Sequence, residues 1–256
     1  ELAARKELHD GVTAEASRVL AGESWRGQEQ AALLLTQLDF EPAARRLVEL
    51  LGAERGEVYV TAAWGLRKLD VPETLPAVAQ YAEAARAQFF GPGAASVPPE
   101  GGRTGQMIDH QLSQLNQFLG RRRYKPAGPL LLRFLPRPGG MPVAPECRAA
   151  AAWALGWLHE GRPTPEVVKA LEGRLNDTGP LIPEAGPVRC MAAVALARLG
   201  AREALPSLRK YYRGTGPTGD RLSNACGWAI ERLTGEKMPA AKPYRTAERD
   251  EFLNPG

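Results

Sequence analysis

The chain has 256 residues, 44% of them hydrophobic, and a formal net charge of +4, which is ample material for a buried core. No run of 18 or more apolar residues occurs, so no membrane-spanning helix is expected. Three cysteines without a CxxC spacing argue against a disulfide framework and a structural zinc site. The opening ELAARKELHD lacks the apolar core of a signal peptide, which slightly favours the cytoplasm. A first residue other than Met leaves a removed leader open.

Residues 1–11 read as a short leading helix, and Thr13 as the N-cap of another over 14–21, closed by Gly22. Helix 28–38 completes a first pair, and 42–51 with 57–69 make a second. Asp70-Val71-Pro72 opens a long helix to about Phe89. The stretch GPGAASVPPEGGRTG, with five Gly and three Pro, predicts a flexible inserted loop over 90–105. Helix 106–119 keeps its period through Ile108, Leu112, Leu115 and Phe118 or Leu119, but carries Gln and Asn where other helices carry alanine. Segment 126–135 starts a fourth pair, Thr164-Pro165 opens a fifth, and 202–212 with 222–233 form a sixth, ending at Gly235. Residues 236–256, with four charges of each sign, should be an extended tail.

One register unites the second helices. Counting back from Leu199, Leu196 stands at minus three, Ala195 at minus four, Val194 at minus five, and Ala193 and Ala192 at minus six and minus seven. Leu38, Leu69, Leu158 and Leu233 head the same series, with Trp64, Trp153 and Trp228 at minus five. The landmark and positions minus three, minus four and minus seven fall on one helical stripe. Repeated helix pairs covering one another's apolar faces predict an all-α solenoid of about six antiparallel pairs over 1–235.

Position minus five lies off that stripe, so each Trp either wedges between repeats or anchors a partner segment on the inner surface. Basic charge is concentrated centrally: residues 101–150 carry 8 basic and 2 acidic side chains. Arg121, Arg122, Arg123 and Lys125 surround Tyr124, either as a solvated turn or as a phosphate-binding patch. Arg148 and Arg189 share position minus ten and would extend such a patch. The buried columns hold Cys147, Cys190 and Cys226 as small core fillers. No catalytic, cofactor or metal-ligand arrangement is evident.

The segments VRCMAAVALARLGAREALPSL (188–208) and SNACGWAIERLTG (223–235) resemble bacterial HEAT-repeat proteins, including the HEAT-like repeats named after phycobilin lyases. The resemblance implies a right-handed armadillo-like superhelix, second helices on its inner surface, and a scaffold role. Deoxyhypusine hydroxylases share this fold and hold two irons with several His-Glu dipeptides, whereas only His159-Glu160 occurs here. His159 reads instead as a cation at a helix C-terminus. The expected function is therefore a non-enzymatic scaffold for another protein or a peptide, without a cofactor. The alternative is a nucleic-acid-binding solenoid centred on 121–125.

Overall fold

The computed structural model describes residues 6–90, 105–137, 144–214 and 221–239; of the loop expected over 90–105 and the tail expected over 236–256, residues 91–104 and 240–256 lie outside them, while Phe90 and Gly105 belong to helices. Twelve α-helices and no strand occur among the described residues. They run in pairs: α1 (Lys6–Ala21) with α2 (Trp25–Gln37), α3 (Ala44–Leu50) with α4 (Gly56–Leu69), and α5 (Leu75–Phe90) with α6 (Gly105–Arg121). Then come α7 (Gly128–Phe134) with α8 (Pro145–Leu158), α9 (Pro165–Leu175) with α10 (Gly186–Leu199), and α11 (Leu205–Tyr211) with α12 (Arg221–Thr234). Each first helix packs on its own partner, and the second helices pack on one another in series from α2 to α12. This is an all-α solenoid.

The connection between pairs repeats one device. Asp39, Asp70, Arg123 and Gly200 take left-handed backbone after their second helices. Phe40 N donates to Leu35 O at 2.9 Å, Tyr124 N to Leu119 O at 2.9 Å and Ala201 N to Leu196 O at 3.1 Å, which satisfies carbonyls that the helix end leaves open. Short 3-10 turns at Glu41–Ala43, Pro72–Thr74, Lys125–Ala127 and Arg202–Ala204 follow and open the next helix. The shared bond places Leu119 at minus three, so Gln117 is the minus-five residue of the divergent copy.

Small residues let successive second helices approach. A Cβ on Gly65 would lie 2.7 Å from Thr36 Oγ1, one on Gly120 2.6 Å from Ala154 Cα, and one on Gly156 2.9 Å from Ala195 Cα. Position minus two of one helix thus meets position minus four of the next. The first copy departs from the expected stripe for this reason. No described helix precedes α2 on that side, so Leu34 at minus four is 41% exposed while Thr36 at minus two is buried.

Two other expectations are corrected. Residues 6–21 form one helix, in which Thr13 Oγ1 donates back to His9 O at 2.9 Å instead of capping a new start. His159 is the C-cap of α8, but burial lowers its pKa, which favours the neutral ring over the cation.

The polar residues of α6 clamp three units together. Gln111 Nε2 donates to Leu51 O at 2.9 Å, Asn116 Nδ2 donates to Cys147 O at 3.0 Å, and Asp109 accepts Cys147 N at 2.7 Å and Glu146 N at 3.1 Å. Asp109 thereby caps α8, whose own N-cap residue, Ala144, offers no side-chain acceptor. Asp109 is buried because it meets Glu146 N and Cys147 N, first-turn donors that the helix leaves open.

Position minus ten closes first-helix ends. Gln28 Nε2 donates to Gly22 O at 2.7 Å, Arg148 to Leu135 O at 2.9 Å, and Arg189 Nε to Leu175 O at 2.9 Å. Arg148, 1% exposed, also pairs with Glu184, 3% exposed. Burial alone would raise the pKa of Glu184, but the bonds from Arg148 and Ala185 N outweigh it and hold the carboxyl below its ordinary value of 4.5.

Two predictions follow from this packing. Gly120→Ala should lower stability by about 1–3 kcal/mol through overpacking against Ala154, whereas Gly11→Ala, exposed mid-helix with nothing within 4 Å, should raise it by about 0.5–1 kcal/mol; urea unfolding measures both. Arg148→Met should cost about 3 kcal/mol at neutral pH by leaving the buried Glu184 with only Arg174, 3.1 Å away, and Ala185 N as partners. The wild-type contribution of Glu184 is complete above pH 4.5 and is lost as pH falls through its lowered value. In the variant the carboxyl pKa rises, so the deficit should shrink on acidification.

Candidate binding face of the second helices

With minus three, minus four, minus six and minus seven buried, positions minus one, minus five and minus nine share the uncovered face of the second helices. Minus five presents Leu33, Trp64, Gln117, Trp153, Val194 and Trp228 along α2 to α12. Trp64 and Trp153 are half-buried, and Trp228 is 42% exposed. Minus one presents Gln37, Lys68, Arg121, Trp157, Arg198 and Arg232.

The centre of this face is an aromatic and guanidinium cluster. Trp153 and Trp157 meet edge to face, with centroids 5.8 Å apart at 69°. Arg198 lies over both, 5.4 Å from the Trp153 centroid and 4.2 Å from that of Trp157, and Arg123 lies 5.3 Å from Trp157. At α12, Arg232 sits 5.6 Å over Trp228. Such pairs contribute ~0.5–2 kcal/mol according to their exposure, and they hold large rings in fixed orientations.

Two grooves of about 420 Å³ each flank Trp153 and Gln117. One runs between α6, α8 and α10, with Ala149, Ala150 and Met191 in its lining and Ser113 and Glu146 beside them. Glu146 Oε2 lies 2.5 Å from His110 Nδ1. The other is lined by Arg67, Gln117, Arg121, Trp153 and Trp157. Burial, and then the neighbouring Arg121, lowers the Arg67 pKa; burial, and then Arg232, lowers that of Arg198.

The basic cluster divides by partner. Arg122 Nε donates to Asp70 Oδ1 at 2.6 Å, and Arg123 pairs with Glu160. Arg121 is exposed and only 3.7 Å from Asp70 Oδ2, and Lys125 is exposed at the head of its turn. Arg148 and Arg189 do not extend this patch. Their shared register aims them at first-helix carbonyls; Arg148 is buried on Glu184, and Arg189 lies 4.5 Å over Tyr211. Sequence reasoning missed Trp157, Arg198, Arg67 and Gln117. The first two were signalled by position minus one, which shares the minus-five stripe.

The sequence pattern of the PBS lyase HEAT-like repeat matches residues 188–213, a span from α10 through the turn into α11. No curated protein matched the chain in a sequence search. Among solved structures, an engineered protein from the Northeast Structural Genomics Consortium superposes with a TM-score of 0.50 at 17% identity, covering 89% of this chain and 98% of the other. Human deoxyhypusine hydroxylase in complex with glycerol gives a TM-score of 0.36 at 17% identity, over 92% of each chain, too low to support an inference. The chain is thus a helical-repeat solenoid in which residues 188–213 match the pattern of the PBS lyase HEAT-like repeat.

Proposed function

We propose that the chain is a non-enzymatic interaction scaffold whose second-helix face binds a segment of another protein. The observation that carries this reading is the row of incompletely buried tryptophans, Trp64, Trp153, Trp157 and Trp228, beside two open grooves. Large rings already held by packing and by guanidinium contacts lose little freedom on binding, which is why such residues dominate interfaces. A solenoid also gains face area with each added unit.

The nucleic-acid alternative has less support, because Arg148 is buried and Arg122 and Arg123 are already paired with carboxylates. Arg121 and Lys125 alone provide few of the phosphate contacts on which such affinity depends.

Selection of a displayed random-peptide library on the intact protein tests the scaffold reading. Enriched peptides should bind Trp153→Ala or Trp228→Ala at least about 30-fold more weakly, the ~2 kcal/mol of an interface anchor. Trp228→Ala should change thermal stability by less than about 1 kcal/mol, as expected for an exposed site. Failure to enrich any peptide, or enriched peptides indifferent to both substitutions, would refute the proposal.

A further inference from the structure

Resting on that scaffold reading, we infer that the segment recognised is an acidic linear peptide. Its carboxylate enters the groove of Arg67 and Arg121, and an adjacent apolar side chain enters the groove across Trp153.

The charge balance of the face points to a carboxylate. Among the described residues, no carboxylate lies within 4 Å of the Arg67 or Arg198 guanidinium; Arg67 Nε donates to the neutral Gln114 Oε1 at 2.5 Å. Asp70, the acid nearest Arg121, is held more closely by Arg122, 2.6 Å against 3.7 Å. Glu160 pairs with Arg123 and lies 3.3 Å from Arg232. The groove of Arg67 and Arg121 has no acidic residue in its lining. Two guanidiniums therefore converge with incomplete compensation, and burial depresses the pKa of Arg67 and of Arg198. A carboxylate placed there gains charge-assisted hydrogen bonds and relieves the repulsion between Arg67 and Arg121.

Orphaned donors add a second line. Trp157 Nε1 and Arg198 Nη1 are buried without a hydrogen-bond partner among the described residues. Both belong to the cluster around Trp153, and both can only donate. Turned outward, either would take an acceptor, and a carboxylate or peptide carbonyl in the groove that Trp157 lines would supply one.

The second groove sets the neighbouring side chain. Ala149, Ala150, Pro187, Met191 and one side of Trp153 form an apolar surface, and the Glu146 carboxylate at this groove faces His110. An apolar side chain suits this surface. In an extended peptide, side chains two positions apart lie ~6.6 Å from each other, comparable to the ~6 Å between helix positions minus one and minus five. An acidic residue alternating with an apolar one can therefore straddle Trp153.

The same library selection, read for composition, tests this. Enriched sequences should carry Asp and Glu at least about threefold above the starting library, two positions from Phe, Leu or Met. The best of them should bind the Arg67→Gln/Arg121→Gln variant about tenfold more weakly, while Arg133→Gln, on α7 and paired with Glu83, should leave binding unchanged. Thermal unfolding of each variant confirms that it folds; should the double variant not fold, Arg121→Gln alone is used, the side chain being exposed. Enriched peptides without acidic residues, or unaffected by the arginine changes, overturn the inference and leave the scaffold reading standing. No enrichment removes both. Oligo-dT that binds more tightly than any peptide through the same arginines also overturns it, making phosphate the ligand.

Discussion

The structure depends on how closely neighbouring second helices approach. Thr36 meets Gly65, Gly120 meets Ala154, and Gly156 meets Ala195, at distances where no added Cβ fits. Large side chains at these positions would separate the helices and disrupt the packing of the leucines at minus three, which are fully buried at Leu35, Leu66, Leu119, Leu155 and Leu196. Glycine within a helix costs up to ~1 kcal/mol, and Gly120 and Gly156 repay that in contact, because the interior tolerates few voids.

Close approach creates a second requirement. Helix ends brought into the interior carry backbone groups that water cannot reach, and the chain answers with side chains from other helices. Arg148 and Arg189 close first-helix carbonyls, and Asp109 caps α8. Burying Asp109 raises its pKa despite two backbone donors, so desolvation outweighs hydrogen bonding at that carboxyl. Polarity in the core here serves geometry, and Gln111 and Asn116 of α6 likewise reach backbone carbonyls of neighbouring units.

The architecture was legible in the sequence because one register of leucine and small residues recurs at fixed offsets, and periodicity records burial directly. What stayed illegible depends on neighbours distant in sequence. Leu34 is apolar, as the stripe requires, yet no described helix covers it, so it is exposed. Thr13 has the chemistry of an N-cap, but packing of α1 on α2 carries the helix through Gly11. Arg148 and Arg189 shared a register that the sequence could not aim, since the carbonyls they meet belong to other helices. The minus-five tryptophans were readable as a column. That Trp157 and Arg198 join them required the minus-one positions to be compared across copies.

The central claim is that this face presents tryptophan rings within a surplus of positive charge. Three of the four tryptophans on the face, Trp153, Trp157 and Trp228, carry a guanidinium over the ring within 5.6 Å, and Trp25, away from it, carries Arg26 at 4.9 Å. Ionic quenching of tryptophan fluorescence measures this on the unmodified protein, because iodide is drawn to such rings and caesium is repelled. At equal ionic strength the account predicts iodide quenching several-fold more efficient than caesium, with the difference shrinking as salt is raised. Equal quenching by both ions, or stronger quenching by caesium, would contradict it.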